Sequence, residues 1–226
     1  MFKGTVMVTG PLEGKKAMEI SVKYLYAVLG WVLWCTLHST LISTTVTDFA
    51  KKKLGSSFRF YRLFYNVVSL VTLIPLVYYS HTLREAPIFR WEGSLGIVQV
   101  FLLAASVSLY VAGGRHYSWA MFWGISQIKA EQAGRSLDHS STFVVSGIHR
   151  IIRHPWYLSG ILIVWAQDLS TSTILINMVI SIYFMIGAVL EERKLVREFG
   201  EKYREYQRTV SMLFPWRWLK ARIEGG

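Results

Sequence analysis

Apolar residues gather along the chain into five runs, at about 24–42, 63–79, 95–112, 156–166 and 174–190. None alternates with the period of two that marks a half-buried strand, so each predicts a helix. The first three and the fifth approach the ~20 residues a helix needs to cross ~30 Å of hydrocarbon. The fourth is too short to cross straight. Residues 167–172, which join it to the fifth, carry no Lys or Arg. The last two runs therefore predict a helical hairpin whose tip faces away from the basic side of the chain. The expected fold is an all-α integral membrane protein with about five transmembrane helices, a short C-terminal helical hairpin and a cytoplasmic C-terminal helix. It reads as a single membrane domain, 1–226. Within it we expect an N-terminal tail (1–21), three transmembrane helices (22–112), a cytoplasmic cofactor-binding segment (113–155), the hairpin (156–190) and a cytoplasmic C-terminal segment (191–226).

Composition agrees with this pattern. The chain is 52% hydrophobic and 17% charged, against about 25% charged in soluble domains. The first 20 residues lack the apolar core of a signal peptide. The single Cys35 lies inside an apolar run and excludes an internal disulfide. The net charge of +11 raises the question of nucleic acid, and its distribution answers it. Residues 48–62, 115–153 and 191–226 hold 19 of the 25 Lys and Arg but only 9 of the 14 acids. The remainder is nearly neutral. That is the positive-inside asymmetry of a multi-pass cell-membrane protein, and it excludes a nucleic-acid stripe. It places these stretches in the cytoplasm, the loop at 84–92 outside and, with five crossings, the N-terminus outside.

The candidate chemistry lies at both ends of the hairpin. Before the fourth run stands Arg153-His154-Pro155-Trp156-Tyr157. Proline is favoured in the first turn of a helix, where its missing N–H costs nothing. The free N–H groups and positive dipole end of that helix then lie beside Arg150, Arg153 and His154, a setting for a carboxylate or phosphate. Taken alone, the segment also fits snorkelling interfacial charge with aromatic anchors. After the fifth run stands Glu191-Glu192-Arg193-Lys194-Leu195. Acids at a helix C-terminus oppose its dipole, so the helix runs on or the acids meet a cation. The hairpin brings both motifs to one membrane face. A basic helix start, a carboxylate pair and several rings together suit a zwitterion with a flat ring, and S-adenosylmethionine has that form. His38, Asn66, His116 and Asn177 are further polar residues in or near apolar runs. No His/Cys cluster has ligand spacing, and no metal is expected.

These motifs resemble the isoprenylcysteine carboxyl methyltransferase superfamily of integral-membrane methyltransferases. The resemblance rests on Ser146-Gly147-Ile148, Arg153 to Tyr157, Glu191 to Leu195, Phe199 to Tyr206, Val210 and Pro215. The front half, with His38-Ser39, Gly55 and Tyr61 to Asn66, is similar to the bacterial branch of methanethiol S-methyltransferases and NnrU-type proteins. The resemblance implies an S-adenosylmethionine-dependent enzyme with a cytoplasmic cofactor site lined by Phe143, Val144, His149, His154, Pro155, Trp156, Tyr157 and Glu191. His154 and Glu191 are the candidates for a catalytic role. Two residues depart from the pattern: His149 stands where members usually carry Tyr, and Gly187 where animal isoprenylcysteine enzymes carry Arg. The second departure favours a small thiol over a prenylcysteine carboxylate, although other lipophilic acceptors fit the same frame. The alternatives are a non-catalytic NnrU-like membrane accessory protein and a phospholipid N-methyltransferase.

Overall fold

Helices account for the chain in the computed structural model, which describes residues 11–83, 85–115, 120, 123–132, 143 and 145–224. The order is α1 (Pro11–Ile42), α2 (Thr44–Leu54), a 3-10 turn (Gly55–Phe60), α3 (Tyr61–Thr82), α4 (Leu95–Gly114) and α5 (Ile125–Gln132). A second 3-10 turn (Gly147–Arg150), α6 (Pro155–Trp165), α7 (Thr171–Phe199), α8 (Glu201–Thr209) and α9 (Trp216–Glu224) follow. The protein is an all-α integral membrane protein. Four stretches are long and apolar enough to cross a bilayer: Ser21–Ile42, Thr44–Thr82, Leu95–Gly114 and Thr171–Phe199. The fourth apolar run is different. It forms the 11-residue α6, about 16 Å long at 1.5 Å per residue.

Non-helical backbone completes what α6 is too short to reach, and protein covers that backbone. At the hairpin tip Phe89 pairs with Leu169, with Ile88 N donating to Leu169 O at 2.7 Å and Leu169 N to Phe89 O at 2.9 Å. Trp91 donates its indole N–H to Gln167 O at 3.0 Å, and Gln99 Nε2 donates to Ala166 O at 2.9 Å. Ser170 and Thr173 form a reciprocal capping box at the start of α7. Backbone groups that lipid cannot satisfy are thus satisfied by the chain itself.

Small polar residues set the helix packing. Ser106 Oγ on α4 donates to Ser159 O on α6 at 2.9 Å, and Ser159 Oγ returns a bond of 2.9 Å to Ser106 O. Such short side chains let backbones approach closely where no hydrophobic force drives helices together. On the other flank α1 runs against α3 and α7. His38 stacks on Trp34 at 5.3 Å and its Nδ1 lies 2.8 Å from Ser69 Oγ. Asn177 donates to Val164 O at 2.7 Å. Both polar residues hold helices together. His116 lies outside the described residues.

α6 and α7 approach closely at Gly160. A Cβ built there would stand 2.6 Å from Phe184 Cε2 and 2.7 Å from Cζ. Gly160→Ala is therefore expected to displace Phe184 and to destabilise the hairpin by roughly 1–3 kcal/mol, as overpacking does. A thermal unfolding scan in detergent checks this; an unchanged midpoint would show that the hairpin has slack.

Candidate functional site

The hairpin holds its open end together with charge. Pro155 occupies the first turn of α6, with His154 as the residue before it. The segment entering α6 lies alongside the segment leaving α8: Ile152 bridges Ser211 in parallel, Arg153 N donates to Ser211 O at 2.9 Å, and His154 N donates to Met212 O at 3.0 Å. These bonds fix where the two preceding side chains point.

Both point at α7. Arg153 Nε donates to Glu192 Oε1 at 2.6 Å, and its Nη1 donates to Gln207 O at 3.1 Å and to Val210 O. Gln207 Nε2 donates to the other carboxylate oxygen of Glu192 at 2.7 Å. The His154 ring stands between two acids, with Nε2 3.2 Å from Glu192 Oε1 and Nδ1 3.6 Å from Glu191 Oε2. Neighbouring residues on a helix diverge by about 100°. Glu192 is accordingly buried, 8% exposed, with its oxygens taken by Arg153, His154 and Gln207. Glu191 sits at the rim with 44% of its side chain exposed. One carboxylate is a strut; the other faces outward beside an imidazole.

The aromatic residues divide between two neighbourhoods. Tyr157 packs against His154 at 5.3 Å and Phe184 at 5.7 Å. A Cβ at Gly187 would lie 3.7 Å from the Tyr157 ring, an ordinary contact, so a small side chain would fit there. Trp156 turns towards α4 instead: it stacks on Tyr110 and donates to Tyr110 O at 3.0 Å, over Gly113. Phe143 belongs to a cluster with Phe199, Tyr203 and Tyr206, at 5.3, 5.6 and 5.3 Å. Tyr206 OH donates to His149 O at 2.6 Å, and His149 Nδ1 lies 3.3 Å from Arg153 O. Burial pushes the Tyr206 phenol up to about 12 and raises Tyr203 as well, so both phenols stay neutral.

Of the residues singled out from sequence, the structure brings His154, Pro155, Tyr157 and Glu191 to one place at the mouth of the hairpin. Phe143 and His149 lie on the α8 side of Arg153, Trp156 lies against α4, and Val144 is outside the described residues. Two partners were not singled out as site residues: Glu192, whose spacing of four from the fully buried Ala188 marks the inward face of α7, and Gln207, which carries no local signal. Among the described residues no group of three or more His, Cys, Asp and Glu is arranged to hold a metal ion.

The chain is 36% identical over 96 residues to methanethiol S-methyltransferase 1 of Bradyrhizobium diazoefficiens, covering 42% of this chain and 33% of that protein. It is 36% identical over 95 residues to methanethiol S-methyltransferase of Pseudomonas deceptionensis, covering 41% and 36%. With the methanethiol S-methyltransferase of Mycobacterium tuberculosis it shares 28% identity over 123 residues, covering 46% and 50%. The matched segments thus span a third to a half of these curated relatives. No solved structure matches the chain. The sequence model described as NnrU protein matches residues 26–212, spanning the α1–α4 helices, the hairpin and α8. The chain belongs to the NnrU protein family.

Proposed function

We propose that the protein is an S-adenosylmethionine-dependent membrane methyltransferase acting on a small thiol, with its cofactor site on the cytoplasmic side. The observation that carries this reading is the His154 ring held between a buried and an exposed carboxylate at the positive end of α6. The names of the relatives support it, as does the basic charge gathered at this end of the helices.

The donor set suits the cofactor. Glu191 offers an outward carboxylate for its ammonium or ribose hydroxyls, the α6 N-terminus a positive end for its carboxylate, and Tyr157 a ring face for its adenine. S-adenosylmethionine supplies a methyl group already made electrophilic by a sulfonium, so the protein needs mainly to align and to exclude water. Arg153 and Gln207 hold Glu192, Glu192 holds His154, and His154 is thereby fixed against the outward acid. A thiol acceptor must lose its proton, and His154 and Glu191 are the groups at the rim to receive it. Gly187 leaves the wall beside Tyr157 without a cation, which suits an uncharged small acceptor better than a carboxylate.

The test is transfer of a labelled methyl group by the purified protein to methanethiol, to a prenylcysteine and to phosphatidylethanolamine. Label on methanethiol alone is the expected result. Label on phosphatidylethanolamine would make the protein a phospholipid N-methyltransferase. Family membership supports a second reading, a non-catalytic membrane accessory role, and no cofactor binding with no transfer to any acceptor would establish it.

A further inference from the structure

One face of α7 does not stop at the membrane boundary. Ile182, Met185, Ile186, Val189 and Leu190 are all exposed and follow the i, i+3, i+4 spacing of a single helical stripe. The next residues on that stripe are Arg193 and Arg197. They open into a groove of about 980 Å³ between α7, α8 and the start of α9. Arg204, Arg208 and Arg217 complete its basic wall; Val189, Leu190 and Val196 form its apolar mouth.

The charge of this groove is unbalanced. Among the described residues its lining holds five arginines and one acid, Glu192, which already bonds Arg153 and Gln207. Glu201 and Glu205 pair with Arg204 and Arg208. No described carboxylate pairs with Arg193 or Arg197. An arginine fork matches phosphate oxygens in pairs. The groove lies across Glu192 from His154, and neither His154 nor Tyr157 lines it.

We propose that this groove binds the phosphate headgroup of an anionic phospholipid whose acyl chain lies along the Ile182-to-Leu190 stripe of α7. Continuity decides between sources of phosphate. A soluble anion would need only the arginines, whereas here the cationic wall begins where a lipid-facing apolar stripe ends. The size lies within the ~300–1,000 Å³ of small-ligand sites. The bound lipid would brace α7 against α8 on the side away from the hairpin mouth.

The experiment uses the full chain, purified in detergent without cofactor, so that its outcome is independent of the methyltransferase reading. Native mass spectrometry measures retention of phosphatidylglycerol and phosphatidylcholine from an equimolar mixture. Preferential retention of phosphatidylglycerol is expected. Arg193→Gln/Arg197→Gln should weaken it by at least about tenfold, since each cation at an anionic surface contributes roughly fivefold. Lys51→Gln/Lys52→Gln/Lys53→Gln, which removes three charges elsewhere, should leave it unchanged. Equal retention of the two lipids by the wild-type protein would overturn the proposal whether or not the variants fold. Equal loss in both variants would reduce it to bulk surface charge. Displacement of the lipid by excess inorganic phosphate alone would assign the arginines to a free anion instead.

Discussion

Glu192→Ala is expected to lower the thermal midpoint by on the order of 10 °C and to abolish cofactor binding with it. The carboxylate is buried, and three side chains, two from the entry to α6 and one from α8, converge on it. Removing it leaves the Arg153 guanidinium, only 8% exposed, without its counter-ion. Breaking a buried pair from one side typically costs about 3–5 kcal/mol, because the remaining charge stays desolvated. At this chain length about 1 kcal/mol moves the midpoint by roughly 2–4 °C. Glu192→Gln keeps the shape and the Gln207 contact and should lie between. A thermal scan of Glu192→Ala, Arg153→Ala and the double variant decides the matter. The double variant should be less destabilised than the sum of the singles, since it leaves no orphaned charge. Strict additivity would mean that the two residues do not form a unit.

Glu191→Ala is expected to do the opposite: to leave the fold intact and remove cofactor affinity. Its side chain is half exposed and its only described partner is His154 at 3.6 Å, so its loss should change stability by no more than about 0.5 kcal/mol. Hydrogen bonds to a charged group contribute about 1.5–3 kcal/mol, which corresponds to a loss of roughly 10- to 100-fold in affinity for S-adenosylmethionine. Isothermal titration of the folded variant reads this directly, and wild-type affinity would refute the placement of the cofactor at the rim. His154→Ala should weaken binding too, since its ring links the rim acid to the buried one. A drop in midpoint with unchanged affinity would make His154 an anchor only. The contrast between adjacent acids is the sharpest consequence of the site geometry: one substitution acts on the fold, the other on the ligand.

Much of this was legible in the chain. The positions of the long helices followed from the length and period of the apolar runs, because only helices and closed barrels satisfy their backbone in lipid and these runs lack the alternation of barrel strands. The short α6 was legible for the same reason: eleven apolar residues cannot cover the bilayer. The tip that seals it was not, because Phe89, Trp91 and Gln99 meet residues 166–169 across 67 to 80 positions of sequence. The site was half legible. His154, Pro155, Tyr157 and Glu191 could be named from motifs that are local in sequence. Trp156 sits in the same motif yet packs on α4, since successive helical residues face different neighbours and only the position of α4 says which. Phe143 likewise packs into the α8 cluster.

What the sequence determined by itself was the class of molecule and the presence of a cation, an imidazole and an acid pair at the open end of the hairpin. Those depend on composition and on periodicities of a few residues. Only the tertiary structure decided which acid is the strut and which is open, because that turns on the rotation of α7 about its own axis. The rotation is set by distant contacts, Gly160 on Phe184 at one end and Gln207 on Glu192 at the other. The same rotation carries the lipid-facing stripe of α7 into Arg193 and Arg197, so one packing choice fixes both the mouth of the hairpin and the basic groove behind it.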